Sequence, residues 1–357
     1  MSTILPFIVQ LISIVLTPQE VSLVFAGDAM QHQGQLDAAR RPDGSYGYDG
    51  CFDAVAPYIS AADYAVVNLE TTLGAGGFTG YPCFCSPDSY AEALRDAGFD
   101  MMLTANNHTL DRLDKGLHRT ISVLDSLGVD HLGTYHDGES RQRALPMVKD
   151  IKGIKIGFLN YTYGTNGLTV KGDAVVDYID TDLMASDIES ARAAGAEILA
   201  VAVHWGVEYK LLPHPSQKAL ADFLVGQGVD LIIGGHPHVI QPMEVRHSEK
   251  YGKDVLLVYS LGNFISNMKT TDTRGGAMVK AVLRRGDDGV ARFAKASYSL
   301  VFTVPPAGGV SGYRLYPAMS DGIPASWRDR CRAFTSSAER IFTRHNISVP
   351  RDTVGIR

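Results

Sequence analysis

VDLIIGGHPHVIQP, residues 229–242, opens as a buried strand and closes as a candidate site. Leu231, Ile232 and Ile233 are apolar and partly β-branched, as a strand covered on both faces should be. Gly234 and Gly235 follow, where backbone can turn or approach a ligand closely. His236 and His238 then stand two residues apart across Pro237. Extended backbone points residues i and i+2 to one side, and proline favours extended backbone here. Two imidazoles leaving one strand end on one side are expected to hold different ions of a close metal pair. Two exposed loop histidines would read the same in this stretch alone, because short metal motifs often match by chance.

Other apolar runs have the same character. They are VSLVFA (Val21–Ala26), YAVVN (Tyr64–Asn68), FDMMLT (Phe99–Thr104), EILAVAV (Glu197–Val203) and VLLVYS (Val255–Ser260). Between them, helical spacing runs over Phe52–Ala62, Ser89–Ala97, Lys115–Leu127, Asp182–Ala194 and Ser216–Val225. Leu145–Tyr161 reads as a hairpin turning at Asp150–Gly153. Strands alternating with helices predict an α/β fold with mainly parallel central strands. Ligands in such folds gather beyond the carboxyl ends of the strands. Asp28, Glu70, Asn107, His204 and His236 each fall at or just past the end of a separate apolar run.

Carboxylates and imidazoles suit Zn, Mn or Fe ions. Asp28 and His238 are expected on one ion, and Asn107, His204 and His236 on the other, with Glu70 bridging. Such a pair clamps attacking and leaving oxygens and lowers the pKa of a bridging water. His108 adjoins Asn107 but is surplus to the metal set, which suits a general acid for the leaving group; Asp111 is the candidate that orients it. Singly, each residue has a plainer reading. Asp28 and Asn107 could serve turns, Glu70 could be a solvated carboxylate, and His204 could be a packed histidine beside Trp205. His118, His131, His136, His214, His247 and His345 lack strand-end context; His32 lacks it too but lies near the first motif.

A chain of 357 residues with 45% hydrophobic and 20% charged residues can bury a sizeable core. The net charge of −6 argues against a nucleic-acid surface. None of Cys51, Cys83, Cys85 and Cys331 forms a C-x-x-C pair, so a cysteine zinc site is not expected. Cys51 pairing with Cys83 or Cys85 and buried free thiols are both open. Ile4–Leu16 is almost wholly apolar and of signal-peptide length, so residues 1–18 are expected to be a signal peptide or short anchor of an exported, periplasmic or cell-envelope protein. The segment MST before it has no Lys or Arg, and a core segment is the alternative. Beyond Pro305-Pro306 periodicity fades apart from one helix near Ser326–Thr343. Residues 20–304 are therefore expected to form the domain and 305–357 an accessory tail.

Six motifs occur in order: GDAM at 27–30, NLE at 68–70, ANNHTLD at 105–111, HWGVEY at 204–209, GGHPHVIQP at 234–242 and SLGNF at 260–264. Together they resemble the bacterial CapA family, the poly-γ-glutamate capsule synthesis proteins, over Val21–Val304. The resemblance implies a fold similar to calcineurin-like metallophosphoesterases, a sandwich of two mixed β-sheets flanked by helices. It implies two divalent metal ions (Mn, Zn, Fe or Mg) on Asp28, Glu70, Asn107, His204, His236 and His238, and a catalytic role for His108. It also implies that Trp205, Glu208 and Asn263 border the substrate. The chain departs from the wider phosphoesterase pattern where Met30 replaces a histidine and Glu70 an aspartate, which leaves His32 as a possible supplement to the first metal position.

Three functions follow. The first is an exported metal-dependent hydrolase or transferase acting on an envelope polymer or its precursor, γ-glutamyl or phosphate-containing, alongside membrane capsule-synthesis partners. The second is a generic metallophosphoesterase on small phosphate esters. The third is a non-catalytic assembly subunit of a capsule export complex.

Overall fold

The computed structural model describes residues 19–307 and 311–352. Its frame is two mixed sheets. The first runs, edge to edge, Arg314–Pro317, Ala291–Val304, Gly275–Arg285, Glu20–Ala29, Tyr64–Leu69, Met101–Leu103 and Asp130–Leu132, and Asn263–Ile265 pairs with the end of Glu20–Ala29. Its last four strands are parallel, as is the Asn263–Ile265 pairing, and the remaining pairings are antiparallel. The second sheet runs Met243–Ser248, Lys253–Val258, Leu231–Gly235, Ile198–His204, Ile154–Thr162 and Met147–Ile151. Its four central strands are parallel and each edge strand is antiparallel to its neighbour.

Strand side chains alternate between faces, and this alternation makes three layers. Leu23, Phe25 and Val66 of the first sheet meet Ile156, Ala200, Ile233 and Leu256 of the second in one core. The opposite face of the first sheet, with Val24, Ala65 and Met102, is covered by residues including Ile59, Leu94 and Leu124. The opposite face of the second, with Val201, Ile232 and Leu257, is covered by Met184, Ile188, Ala221 and Leu224 from helices Thr181–Ala193 and Pro215–Gly226. Runs covered on both faces are apolar throughout, which is why they stand out in the sequence.

Two expectations need correction, and the open question of the cysteines is answered. The described part of the segment from 305 onward is built into the core. Arg314–Pro317 pairs with Val301–Val304, and helix Ala325–His345 buries Cys331, Phe334, Ala338 and Phe342 in the central cluster. Ile347 donates its N–H to Met243 O and accepts from Val245. The helical spacing over Phe52–Ala62 yields only the turn Ala56–Ile59, which starts against Pro57. All four cysteines are free; Cys51 and Cys85 are buried and Cys83 is exposed. The Ile4–Leu16 segment lies outside the described residues. Among the described residues, no helix is long and apolar enough to cross a membrane.

Candidate metal centre

The carboxyl ends of the parallel strands from both sheets converge on one buried cluster. Asp28 lies near the end of Glu20–Ala29, in register with Asn68 on the neighbouring strand, and Glu70 follows one residue past that strand. Asn107 and His108 sit in the turn after Met101–Leu103. The second sheet supplies His204, the last residue of Ile198–His204, and His236 and His238 just past Leu231–Gly235. Gly235 is required there, because a Cβ at that position would lie 2.8 Å from Asp28 Oδ1.

The two histidines reach the site by a different route from the one expected. His236 has φ +96° and His238 φ +58°, so the segment is a tight bend and not extended chain. Left-handed backbone is unfavourable for residues with a side chain and is kept where surrounding structure imposes it, often at functional sites. Here the bend brings the His236 N–H to Asp28 Oδ2 at 3.2 Å.

Asp28, Glu70, Asn107, His204, His236 and His238 are all nearly inaccessible to solvent. One oxygen each of Asp28 and Glu70 and one ring nitrogen of His238 lie within 4.8 Å of one another. A second group within the same limit is Glu208, His236 and His238. His204 Nε2 is 2.9 Å from Asn107 Oδ1 and 3.8 Å from Glu70 Oε1. His238 Nδ1 is 3.1 Å from Asn263 Oδ1. The Asn263 amide nitrogen is committed to Thr273 O at 2.8 Å, so its oxygen faces the ring and accepts from Nδ1–H. That tautomer leaves the lone pair on Nε2, 3.7 Å from Glu70 Oε1.

The electrostatics fit a cation. Burial, followed by the neighbouring imidazoles, pushes His204 well below the usual histidine range and His236 down to about 3. Both rings are neutral at neutral pH and offer lone pairs. Burial and then the Asp28 charge drive Glu70 well above the usual carboxylate range. Asp28 also pays for burial, but the hydrogen bonds from His238 and Asn68 outweigh it and hold Asp28 below its ordinary range. Among the described residues, buried Glu70 Oε1 and His236 Nδ1 have no hydrogen-bond partner. Buried polar atoms are rarely left so, and two unpartnered ligand atoms beside a second carboxylate are what a divalent ion would satisfy.

His108 stands beside this cluster. Its Nδ1 is 2.7 Å from Asp111 Oδ2, and its ring packs edge-on against Phe84 at 4.6 Å. Two other expected site residues are placed differently. Trp205 is buried in the outer core of the second sheet, with its indole N–H on Tyr259 O at 2.8 Å, so it supports the strand and does not line the site. Asn263 is fully buried behind His238 and fixes that ring. Glu208 does border the cluster. His32 is tied up, its Nδ1 accepting the Asn267 N–H at 3.3 Å.

Four residues carry weight that the sequence reading did not assign. Asn68 donates to Asp28 Oδ1 at 2.8 Å and to Glu70 Oε2 at 3.2 Å, holding the two carboxylates side by side. Asn106 donates in turn to Asn68 Oδ1 at 3.1 Å. Asn166 Oδ1 accepts from the Asn107 amide at 3.2 Å, which turns Asn107 Oδ1 to His204. Tyr163, 47% exposed, lays its ring 4.5 Å from that of His236. Asn68 had a readable signal: it is two residues before Glu70, and alternation places them on one side.

Comparison with known proteins agrees with this architecture. The fold is a metallophosphoesterase-like sandwich. It is similar to the solved structure of Haemophilus influenzae NAD nucleotidase, with a TM-score of 0.50 and 13% identity over 90% of this chain and 63% of that one. At that identity the likeness concerns the fold alone. The chain belongs to the family described as bacterial capsule synthesis protein PGA_cap, which matches residues 22–268. It is 28% identical to the capsule biosynthesis protein CapA of Bacillus anthracis over 76% of this chain, and 28% identical to the PGA biosynthesis protein CapA of Bacillus subtilis over 68%. The matches span 66% and 63% of those two relatives' lengths.

Proposed function

We propose that this chain is a metal-dependent hydrolase or transferase that acts, outside the cytoplasm, on an envelope polymer or its precursor, γ-glutamyl or phosphate-containing. The observation that carries the reading is the pair of unpartnered buried ligand atoms, Glu70 Oε1 and His236 Nδ1, within a converging set of carboxylates and neutral imidazoles. Family membership supports the capsule setting, and membrane-bound synthesis partners belong to the same reading.

Asp28, Glu70 and His238 would hold one ion. Asn107, His204 and His236 would hold the second, with Glu208 at its open side. Bound ions would polarise the scissile group and activate a water or hydroxyl as the nucleophile. The chain's own residues do the rest. Asn68 keeps the two carboxylates together against their mutual repulsion. Asp111 takes the His108 Nδ1–H, which leaves Nε2 as the atom that delivers a proton to the leaving oxygen. Tyr163 and Glu208 form the border over which substrate enters.

Metal analysis of the purified full-length protein, joined to a screen of γ-glutamyl polymers and phosphoesters, tests this. Two equivalents of metal and turnover of one class are expected. Protein without bound metal or turnover after incubation with Mn, Zn, Fe and Mg would favour a non-catalytic assembly subunit.

A further inference from the structure

A cavity of about 350 Å³ is lined by Gln31 and by residues of the helix Gln33–Ala39, and by none of the candidate metal ligands. Its charged lining is Arg40, Arg41, Arg314 and Asp49, a local balance of three positive against one negative, or +2. The whole chain carries −6, so this is a cationic focus on an acidic protein. Arg41 pairs with Asp49. Among the described residues, Arg40 and Arg314 have no carboxylate within ion-pair distance.

Two of these guanidinium groups lie close over glycines. A Cβ at Gly47 would lie 2.2 Å from Arg41 Nη2, and one at Gly50 would lie 1.4 Å from Arg314 Nη1.

Gln31 is one of the lining residues and is fully buried. One end of its carboxamide meets the Tyr48 hydroxyl; the other, Oε1 as placed, has no partner. Burial pushes the Tyr48 hydroxyl upward, so it stays protonated and can donate. The two ends of a carboxamide have the same shape and are told apart by their partners. A Tyr48 hydroxyl donating to the amide oxygen leaves the NH₂ group of this lining residue as an unused donor.

We infer that this cavity is a second ligand site, separate from the metal centre, which binds an anionic group, carboxylate or phosphate, through Arg40, Arg314 and the Gln31 amide. Planar guanidinium forks match both anions, and the volume lies in the range of small-molecule sites. The inference stands apart from the metal reading and does not require it.

Titration calorimetry on the full-length protein tests it with three probes: inorganic phosphate, L-glutamate and a γ-linked glutamate oligomer. Saturable binding of at least one is expected, weakening with salt. Arg314→Gln and Arg40→Gln should each weaken it by about tenfold, the scale of one charge-assisted hydrogen bond. Gln31→Met keeps the volume, removes the unpartnered amide and should weaken binding without loss of fold. His236→Ala should leave this affinity unchanged, which separates a failure here from a failure of the metal reading. An oligomer that binds more tightly than glutamate or phosphate identifies the anion as part of a polymer, whereas tightest binding of phosphate identifies a small phosphate compound. Absence of binding by all three, or binding indifferent to both arginine substitutions, overturns the inference.

Discussion

Asp111 Oδ2 lies 2.7 Å from His108 Nδ1, and the same oxygen takes the Phe84 N–H at 2.6 Å. The carboxylate is thus fixed by the backbone before it fixes the ring. A general acid held this way contributes about 10²–10⁴-fold in rate. His108→Asn should therefore retain metal and fold but lose turnover by that order. The loss should shrink on substrates with good leaving groups, which need less protonation. Asp111→Asn should lose about 10–100-fold, as removal of an orienting partner does. Steady-state kinetics across a leaving-group series decide the matter, and collapse of metal binding in His108→Asn would make His108 a ligand instead.

Among the described residues, buried His236 Nδ1 has no hydrogen-bond partner. Its removal takes away a donor that no neighbour replaces, while the strand Leu231–Gly235 keeps its apolar residues. His236→Ala should lower metal stoichiometry by one equivalent and leave the circular dichroism spectrum intact. Elemental analysis of wild type and variant in parallel is the check, and equal metal content in the two would remove His236 from the ligand set.

Phe334 packs 5.9 Å from Phe302, and Phe342 lies 4.4 Å from Tyr298, ring centre to ring centre. Loss of one buried phenylalanine costs about 3–5 kcal/mol, against a total stability of about 5–15 kcal/mol for a typical domain. A chain ending at Val304 loses both rings and the edge strand Arg314–Pro317, and is expected not to fold. Phe334→Ala in the full chain should fold with stability lowered by about 3–5 kcal/mol in urea melts. A folded, cooperative chain ending at Val304 would restore a domain boundary at that point.

The central strands were legible because they are covered on both faces and therefore apolar without interruption. The strand-end positions of Asp28, Glu70, Asn107, His204 and His236 followed from the topology rule, and the structure gathers them. His238 came with them, although the stated reason of extended backbone was wrong; the sequence shows a proline there but not the positive φ that surrounding structure imposes. Trp205 and Asn263 sit within site motifs yet face away from solvent, and only coordinates separate a residue that touches substrate from one that holds its neighbour. The terminal helix was legible near Ser326–Thr343, but its place in the core was not, because Arg314–Pro317 is four residues long and helix Ala325–His345 buries a narrow stripe beneath many arginines.

Asp63 ties the first strand of the frame to the second. Its Oδ2 accepts the Ser22 N–H at 2.8 Å and the Ser22 hydroxyl at 3.0 Å, and Lys152 pairs with the other oxygen. Partial burial opposes ionisation, but the Lys152 and Ser22 interactions outweigh it and hold Asp63 below the usual aspartate value. A carboxylate whose pKa is lower in the folded than in the unfolded state stabilises the fold above the unfolded pKa, about 3.9. That contribution fades as pH falls through the folded value, because protonation then becomes equal in both states. Asp63→Asn keeps the shape and removes the charge. It should cost about 1 kcal/mol near pH 7, the scale of one hydrogen bond to a charged group on a partly screened surface. The gap between variant and wild type should narrow as pH drops below about 4. Urea melts of both proteins at pH 7 and pH 3.5 measure it, and a gap that stays constant or widens in acid would show that Asp63 acts through packing and not through its charge.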